Sequence, residues 1–457
     1  MDWTPTISDR QGPIYQRILN ALADDIAAGR LHQGQALPTH RALANALGVD
    51  LTTVTRAYAE ARRQGLTDAK VGRGTFVKAR ASALPRAASP GIDLSMNLPP
   101  HPPEADLDGR LAKTLSDIRS EAGFSAYLTY QQPGGTLTER QVAAEWLQSL
   151  VPGTTSDRLV LAPGTQTALF CLLLALAGRG DEILTERLTY PGLKAAAAAL
   201  GLRLIGIDMD AEGIAPVTLE RAARQHKDAK VVYLMPTIHN PTTATMSEER
   251  RIRIAEIIRK RGLTLIEDDP YSLLTRGVTP VSSLIPERSY FCASLSKCIA
   301  PGFRTSLVVT PESTAASRLT GLLRATLQMP APLMTAVATR WMRDGTANAI
   351  IEAVRAEAAI RQSLARQALA GQQFAAHPNG HHVWLTLHPS WPVDRFAAEL
   401  RGRGLAIVTG EAFAAGDTSA NAIRIALGAA RSRAQLVKAL DILADALNAR
   451  APDKQVV

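Results

Sequence analysis

The sequence predicts a chain in two parts. Residues 1–79 read as a small helical unit closed by a hairpin, and residues 93–457 as an α/β body with a mostly parallel sheet. Three observations carry this. Apolar residues recur at helical spacing in the first part. Short apolar runs then alternate with long amphipathic segments, as in a two-sided sheet covered by helices. Between them, residues 80–92 (RASALPRAASPGI) are Ala/Pro/Ser-rich and aperiodic, which makes a short linker.

In the first part, Ile14, Ile18, Leu22 and Ile26 form the stripe of one helix, ended at Gly29. Thr39 is placed to cap a second helix carrying Leu43 and Leu47, which Gly48 stops. Asp50 caps a third, where Val54, Ala57, Tyr58 and Ala61 follow helical spacing up to Gly65. Extended runs near Leu66–Ala69 and Thr75–Lys78 are joined through Gly72-Arg73-Gly74. This order is that of a winged helix-turn-helix. Its third helix must bury one face and show the other, here Thr52, Thr53, Thr55 and Arg56, which suit base edges and phosphates. Arg41, at the start of the second helix, stands where that helix crosses a phosphate backbone. The same periodicity also suits a three-helix packing module that touches no DNA.

Charge is distributed in keeping with a polyanion contact. The 457 residues carry a net +9. Residues 51–80 hold seven Lys/Arg against two Asp/Glu, whereas the chain beyond residue 80 is nearly balanced for its length.

In the second part, strands are expected at Arg158–Leu161, Glu182–Leu184, Leu202–Ile207, Val231–Met235, Thr264–Glu267 and Ser306–Val309. Helical stretches such as Thr165–Ala177 and Ser247–Arg261 separate them. A hydrophobic share of 46% and a charged share of 20% exclude a disordered or fibrous chain. The longest apolar run, Ala168–Gly178, is too short for a bilayer span of roughly 20 residues, and MDWTPTISDR lacks the apolar core of a signal peptide. Three cysteines without CxxC spacing argue against a disulfide scaffold or zinc site. His377, His381 and His382 lack a carboxylate pattern that would make them metal ligands. The expected setting is soluble, reducing and cytoplasmic, with no membrane or metal.

Five motifs fall where strands give way to loops, the place open α/β sheets keep for ligands. They are Gly164-Thr165-Gln166, Tyr190-Pro191-Gly192, Asn240-Pro241, LTLIEDDPY (residues 263–271) and Ser294-Leu295-Ser296-Lys297 with Arg304. Taken singly, each has an ordinary reading: an N-cap, loop punctuation, a capping acid, a surface lysine.

Taken together, two resemblances emerge. LPTHRALANALGVDLTTVTRAYAEARRQGL followed by VGRGTFV, within residues 11–79, resembles the DNA-binding domain of the GntR family of bacterial regulators. It implies operator contacts by Arg41, Thr52, Thr53 and Thr55, with Gly72 and Gly74 in the wing. One departure is Asp50-Leu51 where the family commonly has Ser/Thr-Arg.

The second-part motifs resemble fold-type I aminotransferases, which bind pyridoxal 5′-phosphate (PLP), across roughly residues 93–448. That resemblance implies that Lys297 forms the Schiff base and Asp268 faces the pyridinium nitrogen, with Asp269 the neighbouring candidate. Tyr271 and Asn240 would bond the ring 3′-oxygen and Tyr190 would stack on the ring. Thr165, Gln166, Ser294 and Arg304 would hold the phosphate, and Tyr130 would reach the phosphate of a neighbouring subunit. Arg424, in AIRIAL, would grip an effector's α-carboxylate, and His381–Leu387 would belong to the small C-terminal α+β domain. A second departure is Thr243, where the Asn-Pro-Thr motif usually ends in glycine, which puts the local turn geometry in question.

Both halves in this order resemble the MocR subfamily of transcriptional regulators. The implied function is a PLP-dependent, DNA-binding homodimer that senses PLP or an amino compound through aldimine chemistry and acts on a double-stranded operator. The competing readings are an active aminotransferase with a secondary DNA-binding domain, and a repressor whose large domain has lost PLP.

Overall fold

The computed structural model describes residues 3–7, 12–27, 30–32, 34–63, 66–70, 74–77, 91–416 and 419–449. The chain divides into two compact units, Met1–Ser89 and Pro90–Val457.

The first unit holds α1 (Ile14–Ala27), α2 (His40–Leu47), α3 (Leu51–Arg63), β1 (Thr67–Lys70) and β2 (Gly74–Val77). Its core joins Ile18, Leu22, Leu43, Val54, Ala57, Tyr58 and Ala61, with Ile14 left at the rim. Thr39 caps α2, its Oγ1 accepting from Ala42 N at 3.2 Å, an interaction worth about 1 kcal/mol. Gly48 ends α2 in the left-handed conformation, φ 62°. Asp50 accepts from Thr52 N at 2.7 Å and so satisfies a donor at the start of α3. The helix-ending roles read for Gly29 and Gly65 fall outside the described residues, as do Gly72 and Arg73 of the wing. β1 and β2 pair antiparallel. Residues 34–37 add an unforeseen third edge, with Gly34 N donating to Val77 O and Leu37 N to Thr75 O.

The second unit is built on strands β3 (Ile92–Asp93), β4 (Leu159–Ala162), β5 (Glu182–Glu186), β6 (Arg203–Ile207), β7 (Met209–Asp210), β8 (Gly213–Ile214), β9 (Val231–Leu234), β10 (Thr264–Asp268), β11 (Ser289–Ser294), β12 (Ser306–Val309), β13 (Phe374–Ala376), β14 (His382–Thr386), β15 (Leu405–Ala406), β16 (Val408–Thr409) and β17 (Ala422–Ala426). Seven of them form one sheet in the order β4-β12-β11-β10-β9-β5-β6, in which β12 alone runs against the rest. Every residue of β4, β9, β11 and β12 is buried because helices cover both faces. Alternate residues feed different cores: Leu159 and Leu161 enter one cluster, Val160 and Ala162 another.

Two features differ from expectation. β11, SYFCAS, is a full central strand that the apolar pattern does not announce, because serines at both ends mask a short buried run. Ile92, read as the last linker residue, already lies in β3 and pairs with Leu405 of β15. A smaller antiparallel sheet, β13-β14-β17-β16, packs with the helices Thr346–Ala368, Val393–Gly402 and Arg433–Asn448 around a separate core that includes Ile92 and Leu94. No helix among the described residues is long and apolar enough to cross a membrane.

Candidate functional site

The carboxyl ends of β4, β5, β9, β10 and β11, with the start of antiparallel β12, converge on one edge of the sheet. There, Thr165, Gln166, Tyr190, Asn240, Asp268, Tyr271, Ser294, Lys297, Arg304 and Arg424 line a single cavity of about 330 Å³. Tyr130 is the exception: it is 82% exposed and does not line the cavity of its own chain.

One end of the cavity is made for an anion. Helix Thr165–Leu176 begins there, its first N–H groups without intrahelical partners, and Gly164 before it has φ 89°. A Cβ on Gly164 would collide with the Arg304 guanidinium, so glycine lets the arginine close over the helix start. Arg304 is exposed and donates to Pro163 O at 3.2 Å. Ser294 Oγ accepts from Ser296 N at 3.2 Å, and Ser296 also faces the cavity. Gln166 donates to Gly192 O at 2.9 Å, and glycine at 192 leaves room for both Gln166 and the Tyr190 ring.

Deeper in, Lys297 Nζ donates to Asn97 O at 2.5 Å. Burial, with the Arg424 charge nearby, lowers the amine to about 8, although Asp268 works the other way. With its pKa at about 8, roughly a tenth of the amine is neutral at pH 7, far more than for an ordinary lysine, which makes it a competent nucleophile. Asp268 ends β10 with one oxygen accepting from Tyr233 OH at 2.7 Å, and burial raises its carboxyl to about 6. Its neighbour Asp269 points elsewhere, accepting from Thr237 Oγ1 at 2.6 Å, and does not line the cavity. Glu267 likewise turns away, taking Val281 N and Ser282 N. Strand alternation thus leaves Asp268 as the acid facing the site.

Arg424, in β17, lines the same cavity and is 6% exposed. Its Nη1 donates to Asn240 Oδ1 at 2.8 Å and its Nη2 to Ser95 O at 2.5 Å, and Phe413 lies 5.0 Å from the guanidinium. No carboxylate pairs with it among the described residues. Burial without that partner lowers it to about 10. Tyr271 is buried, accepts from Asn97 Nδ2 at 2.6 Å, and is pushed upward by burial.

His381 and His382 are buried and neutral, each bonded to a main-chain carbonyl, at Lys297 and His239 respectively. Among the described residues no group of three or more His, Cys, Asp or Glu could hold a metal ion. The turn questioned at Thr243 is held in the conformation glycine favours: Thr243 has φ 61° and donates its N–H to His239 O at 2.7 Å. Ile238 is also left-handed, φ 46°. Two β-branched residues in this region store strain beside Asn240, as functional sites do.

In the first unit Arg41, Thr52, Thr55 and Arg56 are exposed and Thr53 is half-buried. Arg56 stacks over the Tyr15 ring at 4.0 Å, the Thr55 hydroxyl donates to Leu51 O, and that of Thr52 donates to Asp50. Gly74 opens β2 with φ 100°. These contacts already hold Thr52, Thr55 and Arg56 within the unit, whereas the exposed Arg41 has no side-chain partner among the described residues.

Residues 14–77 match the model of the bacterial regulatory proteins of the gntR family, and residues 89–443 match aminotransferase class I and II. The HTH-type transcriptional regulator YdeF of Bacillus subtilis is 30% identical over 97% of this chain and 96% of its own. The chain belongs to the MocR subfamily of GntR-type transcriptional regulators. This MocR-type chain is also 27% identical to the vitamin B6 salvage pathway transcriptional repressor PtsJ of Salmonella typhimurium, over 88% of this chain and 91% of PtsJ. Its second unit shares its fold with the kynurenine aminotransferase of Pyrococcus horikoshii, with TM-score 0.72, 24% identity and coverage of 79% and 91%. LysN of Thermus thermophilus is similar at TM-score 0.72, 22% identity and coverage of 78% and 92%.

The cofactor of this MocR-type chain is PLP, and the residues present fit it. Thr165 Oγ1, Asp268 Oδ1 and Arg424 Nε are buried with no partner among the described residues. A donor at the helix start, a buried acceptor and a buried guanidinium match a phosphate, a ring nitrogen and a carboxylate. Each such group left alone costs about 1–3 kcal/mol, which a ligand recovers. Sequence reasoning missed Ser95, Asn97 and Tyr233. Tyr233 had a signal, since a phenol in the doubly buried run VVYL needs an acceptor. Ser95 and Asn97 lie in a loop with none.

Proposed function

We propose that this PLP-dependent regulator switches its operator affinity when an amino compound bearing an α-carboxylate, or PLP itself, occupies the cavity. The observation that carries this is the buried Arg424, which has no acidic partner among the described residues and lies in the same cavity as Lys297 and Asp268. When bound, PLP supplies an aldehyde that takes up amines and a ring that withdraws electrons. Lys297 is the amine that holds it. Asp268 sets a negative charge against the ring nitrogen, and Tyr271 and Asn240 address the ring 3′-oxygen. Tyr190 covers the ring face, while Thr165, Gln166, Ser294 and Arg304 hold the phosphate. Arg424 takes the effector carboxylate. That competes with its bond to Ser95 O, which lies just after β3, near the start of the second unit.

A homodimer completes this reading. Tyr130 and Leu128 are more than three-quarters exposed, which suits residues that meet a partner subunit. Its place of work is the cytoplasm, where operator DNA is. Arg41, Thr52, Thr53, Thr55, Arg56 and the wing at Gly72 and Gly74 form the DNA-facing set.

The test is operator binding to the region upstream of this protein's own gene, titrated with PLP and a panel of amino acids at two salt concentrations. Binding that survives the higher salt and shifts with one ligand supports the proposal. Weak, salt-erased and ligand-blind binding, alongside turnover of amino donors with 2-oxo acids, favours the aminotransferase instead. Arg41→Ala is expected to weaken binding uniformly across operator variants and reduce the slope of log K against log salt by about one.

Asp268→Asn tests the ring partner. Loss of the charge is expected to weaken PLP retention by roughly 30-fold or more, a charge-assisted bond being worth about 2 kcal/mol. Because the Asp268 carboxyl titrates near 6, wild-type retention should decline as pH falls through that value, while the variant's dependence flattens. Equal retention and an unchanged pH profile would move the role to another residue.

A further inference from the structure

Asn97 lies in a loop, carries no charge and matches none of the motifs. It nevertheless touches both groups expected to handle the cofactor's reactive edge. Its carbonyl accepts from Lys297 Nζ at 2.5 Å, and its side-chain Nδ2 donates to Tyr271 OH at 2.6 Å. The same nitrogen lies 3.2 Å from His382 Nδ1, and His382 Nε2 lies 3.3 Å from His239 O. With His382 protonated on Nε2, as the His239 carbonyl requires, Nδ1 is an acceptor. Both amide protons of Asn97 are then used, one on His382 and one on Tyr271. A reversed amide would offer Tyr271 an oxygen and His382 no donor.

This orientation dictates what Tyr271 can do. A phenol oxygen that already accepts a hydrogen bond has its own proton left to give, and gives it more strongly because the two bonds polarise each other. We propose that Asn97 is a positioning residue of the cofactor site, acting through Tyr271 to aim and strengthen the phenol's donation to the ring 3′-oxygen. This rests on the assignment of Lys297 and Tyr271 given above. The other groups around Tyr271 are the rings of His381 and His382, 5.5 and 6.1 Å away, and the charges of Arg424 and Asp268. Both histidines are neutral at working pH, so they supply no competing titration.

The readout is the pH midpoint of the cofactor's visible absorption in the full-length, PLP-loaded chain. A donor on the 3′-oxygen stabilises its anion and makes the proton it shares with the lysine nitrogen easier to lose. Weakening that donor therefore raises the midpoint. Asn97→Ala is expected to raise it by about half a unit, the scale of a lost polarising bond. Asn97→Asp, of nearly unchanged volume, should raise it further, because a carboxylate draws the phenol proton to itself. This variant carries the test if alanine weakens PLP loading. In a Tyr271→Phe background, Asn97→Ala should add less than about 0.2 units, since nothing is left for it to act through. An unchanged midpoint in both Asn97 variants overturns the proposal, as does an equal shift with and without the Tyr271 hydroxyl. Borohydride reduction that still fixes PLP covalently to the chain in Lys297→Ala sinks the underlying assignment, and the role of Asn97 with it.

Discussion

Replacing Lys297 with alanine is expected to uncouple this regulator: the chain still binds its operator, but PLP and amino compounds no longer change that binding. Lys297 places a buried amine, lowered to about 8, on the same cavity as Asp268 and Arg424. It is the amine there whose pKa suits attack on an aldehyde. Coupling between effector and DNA sites is typically worth about 1–3 kcal/mol, or roughly 5- to 150-fold in affinity. In Lys297→Ala this factor should fall to within about twofold. The DNA-binding unit has its own core around Ile18, Leu22 and Val54, so its fold does not depend on the lysine. Titration of operator DNA with and without effector, on both proteins at one salt concentration, decides the matter. An effector shift that survives undiminished would exclude a lysine-dependent switch. Loss of operator binding as well would show that the cofactor organises the DNA-bound state rather than modulating it.

Arg424→Ala is expected to separate effector recognition from cofactor binding. The guanidinium is buried, bonded to Asn240 and Ser95, lies against Phe413, and has no acidic partner among the described residues. Removing one member of a buried charged pair costs about 2–5 kcal/mol, which corresponds to a loss of effector affinity of roughly 30-fold or more. PLP affinity should change by no more than about threefold, since the residues proposed to hold its phosphate are Thr165, Gln166, Ser294 and Arg304 rather than Arg424. Arg424→Lys should recover little, because an ammonium cannot present the two parallel donors that a carboxylate takes. Effector titrations followed by visible absorption and by operator binding measure both quantities. Full response in Arg424→Ala would mean that the effector is held by something other than its carboxylate. Equal losses of effector and PLP would mean that the arginine organises the cavity as a whole.

These two residues were within reach of the sequence through the family resemblance alone. Taken singly, Lys297 beside its serines reads as a surface lysine, and Arg424 in AIRIAL is singled out by its match to the family motif. The helices of the first unit, by contrast, were legible from local physics. Thr39 and Gly48 cap and stop α2, and Val54, Ala57, Tyr58 and Ala61 define the buried face of α3.

Other features depend on what lies across space. Asp268 and Asp269 are indistinguishable as adjacent letters, and strand alternation at the end of β10 turns one to the cavity and the other to Thr237. Thr243 breaks the usual glycine pattern, yet the turn is held by its bond to His239, at the cost of a strained backbone. β11 escaped notice because its burial comes from neighbours β10 and β12 rather than from its own periodicity. Ile92 reads as linker in the sequence because its partner, Leu405, lies near the other end of the chain. By itself, then, the sequence determined the two-part organisation, the helix caps and the residue types at the strand ends, all of which are set by contacts within a few residues. Only the tertiary structure decided which carboxylate faces the cavity and that the carbonyls of Ser95 and Asn97 meet Arg424 and Lys297, because hydrogen-bond partners distant in sequence leave no trace in local spacing.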